Sequence, residues 1–265
     1  MTDSLPPSNL SKQTSEPPKP DDLEEMSITT HLIELRKHLI RIFASVLIIF
    51  FALLYFARDL YQILSGPLRA QLPPHATMIA TDITSTFVAP FKLAFYIAIM
   101  IAMPYILNQI WQFIAPALYK HERKIAIPML ISSTILFYLG VTFAYFITLP
   151  AILTFFIHIA PENVVPMTDI NLYLNFCLKL FLAFGVTFEI PIATLLLILA
   201  GVISVDSLVA KRRYIIVGCF AIAMFITPPD AMSMAMLAIP MWLLFEAGLL
   251  FGRLLEKRRK GVSVK

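Results

Sequence analysis

The sequence FIAPALYKHERK, residues 113–124, separates two long apolar runs and decides how the chain is placed in a membrane. Pro116 lacks an N–H and clashes with the preceding turn, so we expect it to interrupt the helix before it. The short loop that follows carries three cations and one acid, Glu122. Short basic loops between apolar runs are typical of the cytosolic side of a membrane protein. A lone carboxylate in such a loop is within reach of a cationic peptide that arrives from the cytosol.

The composition also indicates a membrane protein. Of 265 residues, 58% are hydrophobic and only 14% are charged, whereas soluble domains carry about 25% charged residues. The two cysteines, Cys177 and Cys219, lie in apolar runs without the spacing of a metal or redox site. We therefore expect reduced cysteines in the core and neither metal nor cofactor.

Six apolar runs follow one another, and they predict an all-α integral membrane protein with six transmembrane helices. The predicted spans are residues 39–56, 87–111, 125–149, 170–199, 214–227 and 232–251. The fifth span reaches only about 21 Å at about 1.5 Å per residue, against a hydrocarbon core of about 30 Å. The sixth is also short if it ends before Glu246. Either the pair forms a re-entrant hairpin or the bilayer thins there.

Positive charge defines the sides of the membrane. Of the 21 lysines and arginines, 17 lie in the N-terminal segment, in two loops and in the C-terminal tail. The positive-inside rule then places both termini in the cytosol. We predict a disordered cytosolic leader over residues 1–26, a membrane domain over 27–252 and a basic cytosolic tail over 253–265. The domain starts with an interfacial helix, and the outer loop 58–85 is long enough to have structure of its own.

Four stretches in this order resemble the TatC family, the multi-spanning core of the twin-arginine protein translocase. They are THLIELR at 30–36, FIAPALYKHE at 113–122, FGVTFEIP at 184–191 and TPPD at 227–230. The resemblance covers residues 27–253 and implies a bundle with a concave, polar-lined face. It also implies a location in the bacterial inner membrane, in contact with membrane lipid.

The resemblance implies a function. Members of this family bind the arginine pair of signal peptides on folded export substrates. Together with TatA- and TatB-type single-span partners, they transport these substrates by the proton-motive force, with self-association in a larger complex. No nucleotide, cofactor or nucleic acid is involved, and the chain is expected not to be an enzyme.

The resemblance also assigns residues. The signal-peptide-binding positions are Glu34, Glu122, Arg36, Phe113 and Lys120. The partner helices are expected to dock near Met224, Thr227 and Met234, and Met234 stands where relatives can carry a polar residue. Pro67 and Asp230 belong to the outer, periplasmic loops, and Glu189 is the intramembrane polar residue.

The acidic residues also have plainer interpretations. Glu34 and Glu122 have neighbouring cations, and such exposed pairs contribute only about 0–1 kcal/mol. Asp230 caps the sixth helix or has a functional role. Glu189 costs about 2.5–3.5 kcal/mol to insert, so it is a functional candidate, although it is otherwise a hydrogen-bonded interior acid. Glu246 is interpreted as structural.

Three other classes of protein fit the sequence less well. Glu189 is compatible with a proton-coupled small-solute secondary transporter, but the two halves of the chain show no matched repeat. An intramembrane enzyme is disfavoured because the chain has no HExxH or GxSxG motif, and a nucleotide-driven pump because it has no GxxxxGK[ST] loop.

Overall fold

Helices account for nearly all of the structure that a computed structural model describes, which covers residues 20–71, 79–82, 84–118, 123–159, 169–199, 203–227 and 230–262. The helices are α1 (Pro20–Leu54), α2 (Ala57–Gln71), α3 (Ser85–Leu118), α4 (Arg123–Phe143), a π-helical segment (Ala144–Thr148), α5 (Leu149–Ile159), α6 (Ile170–Thr187), α7 (Ile190–Leu199), α8 (Val205–Ala210), α9 (Arg212–Ile226) and α10 (Ala231–Val262). The predicted all-α class is confirmed.

Five helical stretches of the described residues are long and apolar enough to cross a membrane. They are Leu32–Leu54, Phe87–Phe113, Ile127–Ile159, Ile170–Ile198 and Ala231–Leu254. Helix α9 has 15 residues and reaches roughly 22 Å, which is less than the hydrocarbon thickness. The prediction of a short fifth run is therefore confirmed, and the count of six complete spans stays a prediction.

The sixth predicted span is not shortened at Glu246. Its apolar stretch is 24 residues long and continues past Glu246. The carboxylate of Glu246 does not end the helix, because it is paired with the guanidinium of Arg212 on α9.

Other boundaries also differ from the predictions. Helix α1 begins at Pro20, within the segment predicted to be the leader, whose residues 1–19 lie outside the described ranges. The long outer loop contains α2, in agreement with the expectation that it has structure of its own. Helix α3 continues two residues past Pro116, since a proline removes one backbone hydrogen bond without always ending the helix.

Four helix pairs make the most extensive contacts between helices. Helix α1 packs against α3, α4 against α6, and α10 against both α7 and α9. We call the end that carries the start of α1, the end of α3 and the start of α9 the inner end. It corresponds to the predicted cytosolic side, and the opposite end is the outer end.

Two glycines bring α4 and α6 unusually close. A Cβ at Gly140 would lie 2.7 Å from the carbonyl oxygen of Phe184, and one at Gly185 would lie 2.5 Å from the Phe137 ring. Phe137 and Phe184 are themselves fully buried. Small residues allow this close approach of membrane helices, which gains van der Waals contact where lipid provides no hydrophobic driving force.

The predicted fourth span is broken in its middle. Phe188 and Glu189 form a turn between α6 and α7, in which the N–H of Phe188 bonds the carbonyl of Phe184 at 2.9 Å. Pro191 follows in the first turn of α7, where its missing N–H costs little. Glu189 therefore lies at a helix break rather than within a continuous helix.

Candidate functional site

The inner ends of α1 and α3 are joined by a polar contact. Nδ1 of His38 lies 2.7 Å from Oε1 of Gln109. Gln109 is only 4% exposed, so its amide is fixed inside the helix pair. A buried amide needs such a partner, because leaving it unpaired costs about 1–3 kcal/mol.

Two of the predicted signal-peptide residues lie beside this contact. The ring of Phe113 meets the ring of His38 edge to face, with centroids 6.1 Å apart and planes at 65°. Glu34 is four residues before His38 on α1, which places both side chains on one helix face. The packing of α1 on α3 thus places Phe113 against His38, one helical turn from Glu34, although Phe113 is far from both in sequence.

Of the other three residues predicted to bind the signal peptide, the structure describes one. Arg36 is exposed on α1. Lys120 and Glu122 lie outside the described residues, in the part of the sequence between α3 and α4.

Glu189 lies apart from this surface. The break between α6 and α7 turns its carboxyl toward the hydroxyl of Ser133 on α4, and Ser133 is 1% exposed. Its Oε1 atom is buried and has no hydrogen-bond partner among the described residues. A carboxyl with one unused oxygen in an apolar region can accept a polar partner that arrives later.

At the outer end, Asp169 holds two segments together. Its Oδ1 accepts from the N–H groups of Asn171 and Leu172, at 2.8 and 3.0 Å, and so caps α6. Its Oδ2 accepts from the hydroxyl and the N–H of Thr81, at 2.6 and 2.9 Å. The hydroxyl of Thr81, followed by these N–H groups, lowers the pKa of Asp169 to about 2. The ionised carboxylate thus anchors the segment before α3 to the start of α6.

Comparison with known proteins places the chain in a family. The profile for the Sec-independent protein translocase protein TatC matches residues 30–240. A TatC from Azotobacter chroococcum is 53% identical over 242 residues, which are 91% of this chain and 95% of the relative. The chain belongs to the TatC family. The TatC of Escherichia coli K12 is 50% identical over 226 residues, 85% of this chain and 88% of the relative.

A solved structure agrees with this membership. A crystal structure of the twin arginine translocase receptor TatC superposes with a TM-score of 0.78 at 38% identity, covering 84% of this chain and 98% of that one. As a TatC, the chain is a protein translocase component of the membrane and not an enzyme. The transporter alternative is not favoured.

The residues predicted for partner docking form a mixed group in this TatC. Met224 is 57% exposed on α9 and can contact another helix. Thr227 is 5% exposed, and its hydroxyl donates to the carbonyl of Ala223 at 3.1 Å. Met234 is partly buried against the core. Only Met224 of these three therefore offers a large exposed surface.

Of the two residues predicted to lie in outer loops, one caps a helix and the other lies within a helix. The N–H of Ser233 donates to Oδ1 of Asp230 at 2.8 Å, so Asp230 caps α10. Pro67 lies within α2. Capping was the plainer interpretation of Asp230, and it is confirmed.

Sequence reasoning missed three pairs: His38 with Gln109, Thr81 with Asp169, and Arg212 with Glu246. One had a usable signal, because an aspartate just before an apolar run predicts a helix cap, as Asp169 provides. The pairing partners had none, since each lies many residues away in the chain.

Proposed function

We propose that this TatC is the core receptor subunit of a twin-arginine translocase. It binds the arginine pair of signal peptides at the inner end, with Glu34 and Glu122 as the acids and Arg36, Phe113 and Lys120 around them. With TatA- and TatB-type subunits it transports folded proteins across the inner membrane by the proton-motive force, with both termini in the cytoplasm.

The contact of His38 with Gln109 and Phe113, one helical turn from Glu34, is the observation that supports this proposal. Helix α1 contributes the acid and α3 contributes the aromatic ring, and the partly buried contact between His38 and Gln109 holds the two helices in register. A peptide segment with cationic and apolar side chains fits a surface with both features.

The acids explain why arginine is required. A guanidinium donates two parallel hydrogen bonds to a carboxylate in a fixed plane, which the ammonium group of lysine cannot reproduce. Two acids from two segments match two adjacent arginines. This arrangement makes recognition depend on residue type and not on charge alone.

Later steps use other parts of the molecule. Glu189, with its unpartnered Oε1 among the described residues, is proposed to bond a polar group of an inserting signal peptide or of a partner helix. The exposed face of α9 around Met224 is proposed as the docking surface for a single-span partner. Helix interfaces in membranes gain about 0.6–2 kcal/mol from such hydrogen bonds.

The experiment measures the affinity of purified, membrane-reconstituted protein for a synthetic signal peptide carrying Arg-Arg or Lys-Lys. Glu34→Ala and Glu122→Ala should each weaken binding of the Arg-Arg peptide about ten- to a hundredfold, because a hydrogen bond to a charged group contributes about 1.5–3 kcal/mol. Glu122→Lys should be weaker still, because it adds repulsion.

Asp206 provides a matched control, since it is an exposed acid in the first turn of α8 at the inner end. Asp206→Ala should bind like the wild type. Equal binding of the Arg-Arg peptide by wild type and Glu122→Lys would overturn the proposal.

A further inference from the structure

The hydrogen bond between His38 and Gln109 also fixes which atom of the imidazole can meet a ligand. The acceptor is the carbonyl oxygen Oε1 of Gln109, so Nδ1 of His38, 2.7 Å away, is the donor. In a neutral imidazole, a donating Nδ1 leaves Nε2 as an acceptor. The buried amide therefore selects the tautomer as well as the orientation of the ring.

Nε2 is the polar atom of the ring that the contact with Gln109 does not use. His38 is half-buried, and its Nε2 is not among the buried polar atoms of the described residues that lack a partner. The opposite edge of the ring is used for the contact with Gln109, and the ring packs against Phe113. Nε2 is left as a fixed acceptor on the surface that Glu34 shares.

We propose that His38 is a specificity-determining residue of the signal-peptide site, with its Nε2 accepting a hydrogen bond from one arginine of the peptide. The proposal rests on the receptor function proposed above and adds a third acceptor to the two acids. Its place one helical turn from Glu34 allows one guanidinium to bond both residues.

Arginine is suited to such a pair of acceptors. Its five donors are spread over a planar group, so one edge can donate to the Glu34 carboxylate while another N–H donates to the imidazole. Lysine concentrates its donors on one atom and cannot reach both acceptors in the same way. His38 should therefore increase discrimination between arginine and lysine at one of the two peptide positions.

Two substitutions separate this role from a purely structural one. The amide of asparagine can replace Nδ1 and keep the bond to Gln109, but it has no atom at the position of Nε2. Glutamine is longer and places its amide near Nε2. If Nε2 binds the peptide, His38→Gln retains discrimination and His38→Asn loses it. If the residue only links α1 to α3, the order is reversed.

The test measures affinities of reconstituted protein for peptides carrying Arg-Arg, Arg-Lys and Lys-Arg. We expect wild type to prefer Arg-Arg. In His38→Asn, the ratio of the affinity for Arg-Arg to the affinity for one of the two mixed peptides should fall roughly tenfold. His38→Gln should keep most of it. Thermal unfolding in detergent should be similar for His38→Asn and wild type, because the link to Gln109 is kept.

The matched control is Gln112→Leu, since Gln112 is exposed one turn along α3 and bonds Asn108. It should leave all three affinities unchanged. Unaltered preference for Arg-Arg in His38→Asn would overturn the proposal. If Glu34→Ala still weakens binding in that case, only the role of His38 fails; if Glu34→Ala and Glu122→Ala have no effect, the receptor function fails.

Discussion

Replacing either glycine of the crossing between α4 and α6 by alanine should destabilise the protein. In Gly140→Ala, the new methyl would lie 2.7 Å from the carbonyl oxygen of Phe184 and 2.8 Å from the Phe188 ring. Carbon atoms in contact prefer about 3.5–4.0 Å, so the helices must separate by about 1 Å. The oxygen belongs to the backbone and cannot move by a change of rotamer.

The magnitude follows from the cost of overpacking. Adding a methyl to a packed core costs typically about 1–3 kcal/mol. For a chain of this size, each kcal/mol corresponds to about 2–4 °C in Tm. Gly185→Ala meets the fully buried ring of Phe137 at 2.5 Å and should cost a similar amount.

The assay is thermal unfolding of the purified protein in detergent, and Gly218→Ala is the control. Gly218 lies within α9, where an added Cβ would have no neighbouring atom within 4 Å, so there alanine should raise stability by about 0.5–1 kcal/mol through helix propensity. An unchanged Tm for Gly140→Ala and Gly185→Ala would refute the packing argument. Because the Phe184 carbonyl also accepts from Phe188, Gly140→Ala should disturb the turn that places Glu189.

Three further predictions concern charge and topology. Hydrogen bonds from Thr81 and from the first turn of α6 hold the pKa of Asp169 at about 2. The ionised carboxylate therefore stabilises the fold above pH about 4, the pKa in the unfolded chain, and this stabilisation is lost as the pH falls from about 4 to 2. In acid unfolding measurements, the difference in stability between wild type and Asp169→Asn should shrink over this pH range. Glu189→Gln should export substrate nearly as well as wild type, whereas Glu189→Ala should bind the peptide normally but fail to export the substrate. Failure of export in both variants would show that the charge is needed. Normal export by both would remove Glu189 from the functional residues. Single cysteines at Ser207 and Asn163 should be labelled only from the cytosolic and the outer side, respectively, and outside labelling at Ser207 would contradict the six-span topology.

Local patterns were sufficient for the helices and for one cap. Long apolar runs predict spanning helices because every backbone group in lipid needs an internal partner, and Asp230 before an apolar run predicts the cap that the structure shows. The short α9 followed directly from the length of its run. Local patterns failed at Glu246 on α10, because a single sequence does not show that Arg212 on α9 pairs with its carboxylate.

The contacts between residues far apart in sequence, at the candidate site and at the outer end, depend on which segments become neighbours. His38 and Gln109 are 71 residues apart, and Thr81 and Asp169 are 88 apart. A single sequence gives no signal for such pairings, because each residue alone fits an exposed position. The resemblance to the family was needed to select Glu34 and Phe113, and the packing of α1 on α3 then supplied a physical reason for their association.

The positions of the inner-end surface and of Glu189 argue for two separate steps in transport. Glu189 is ten residues before Leu199 at the end of α7, which corresponds to about 15 Å along the helix. A peptide whose arginines are held at Glu34 cannot at the same time place them at this depth. Meanwhile the outer end is fixed by hydroxyl bonds from Tyr145 to Ile63 and from Tyr173 to Leu64, at 3.2 and 3.0 Å. Under the function proposed above, we therefore expect the polar partner of Glu189 to come from within the membrane, from an inserting signal peptide or from a neighbouring helix, in a step that follows capture of the arginine pair.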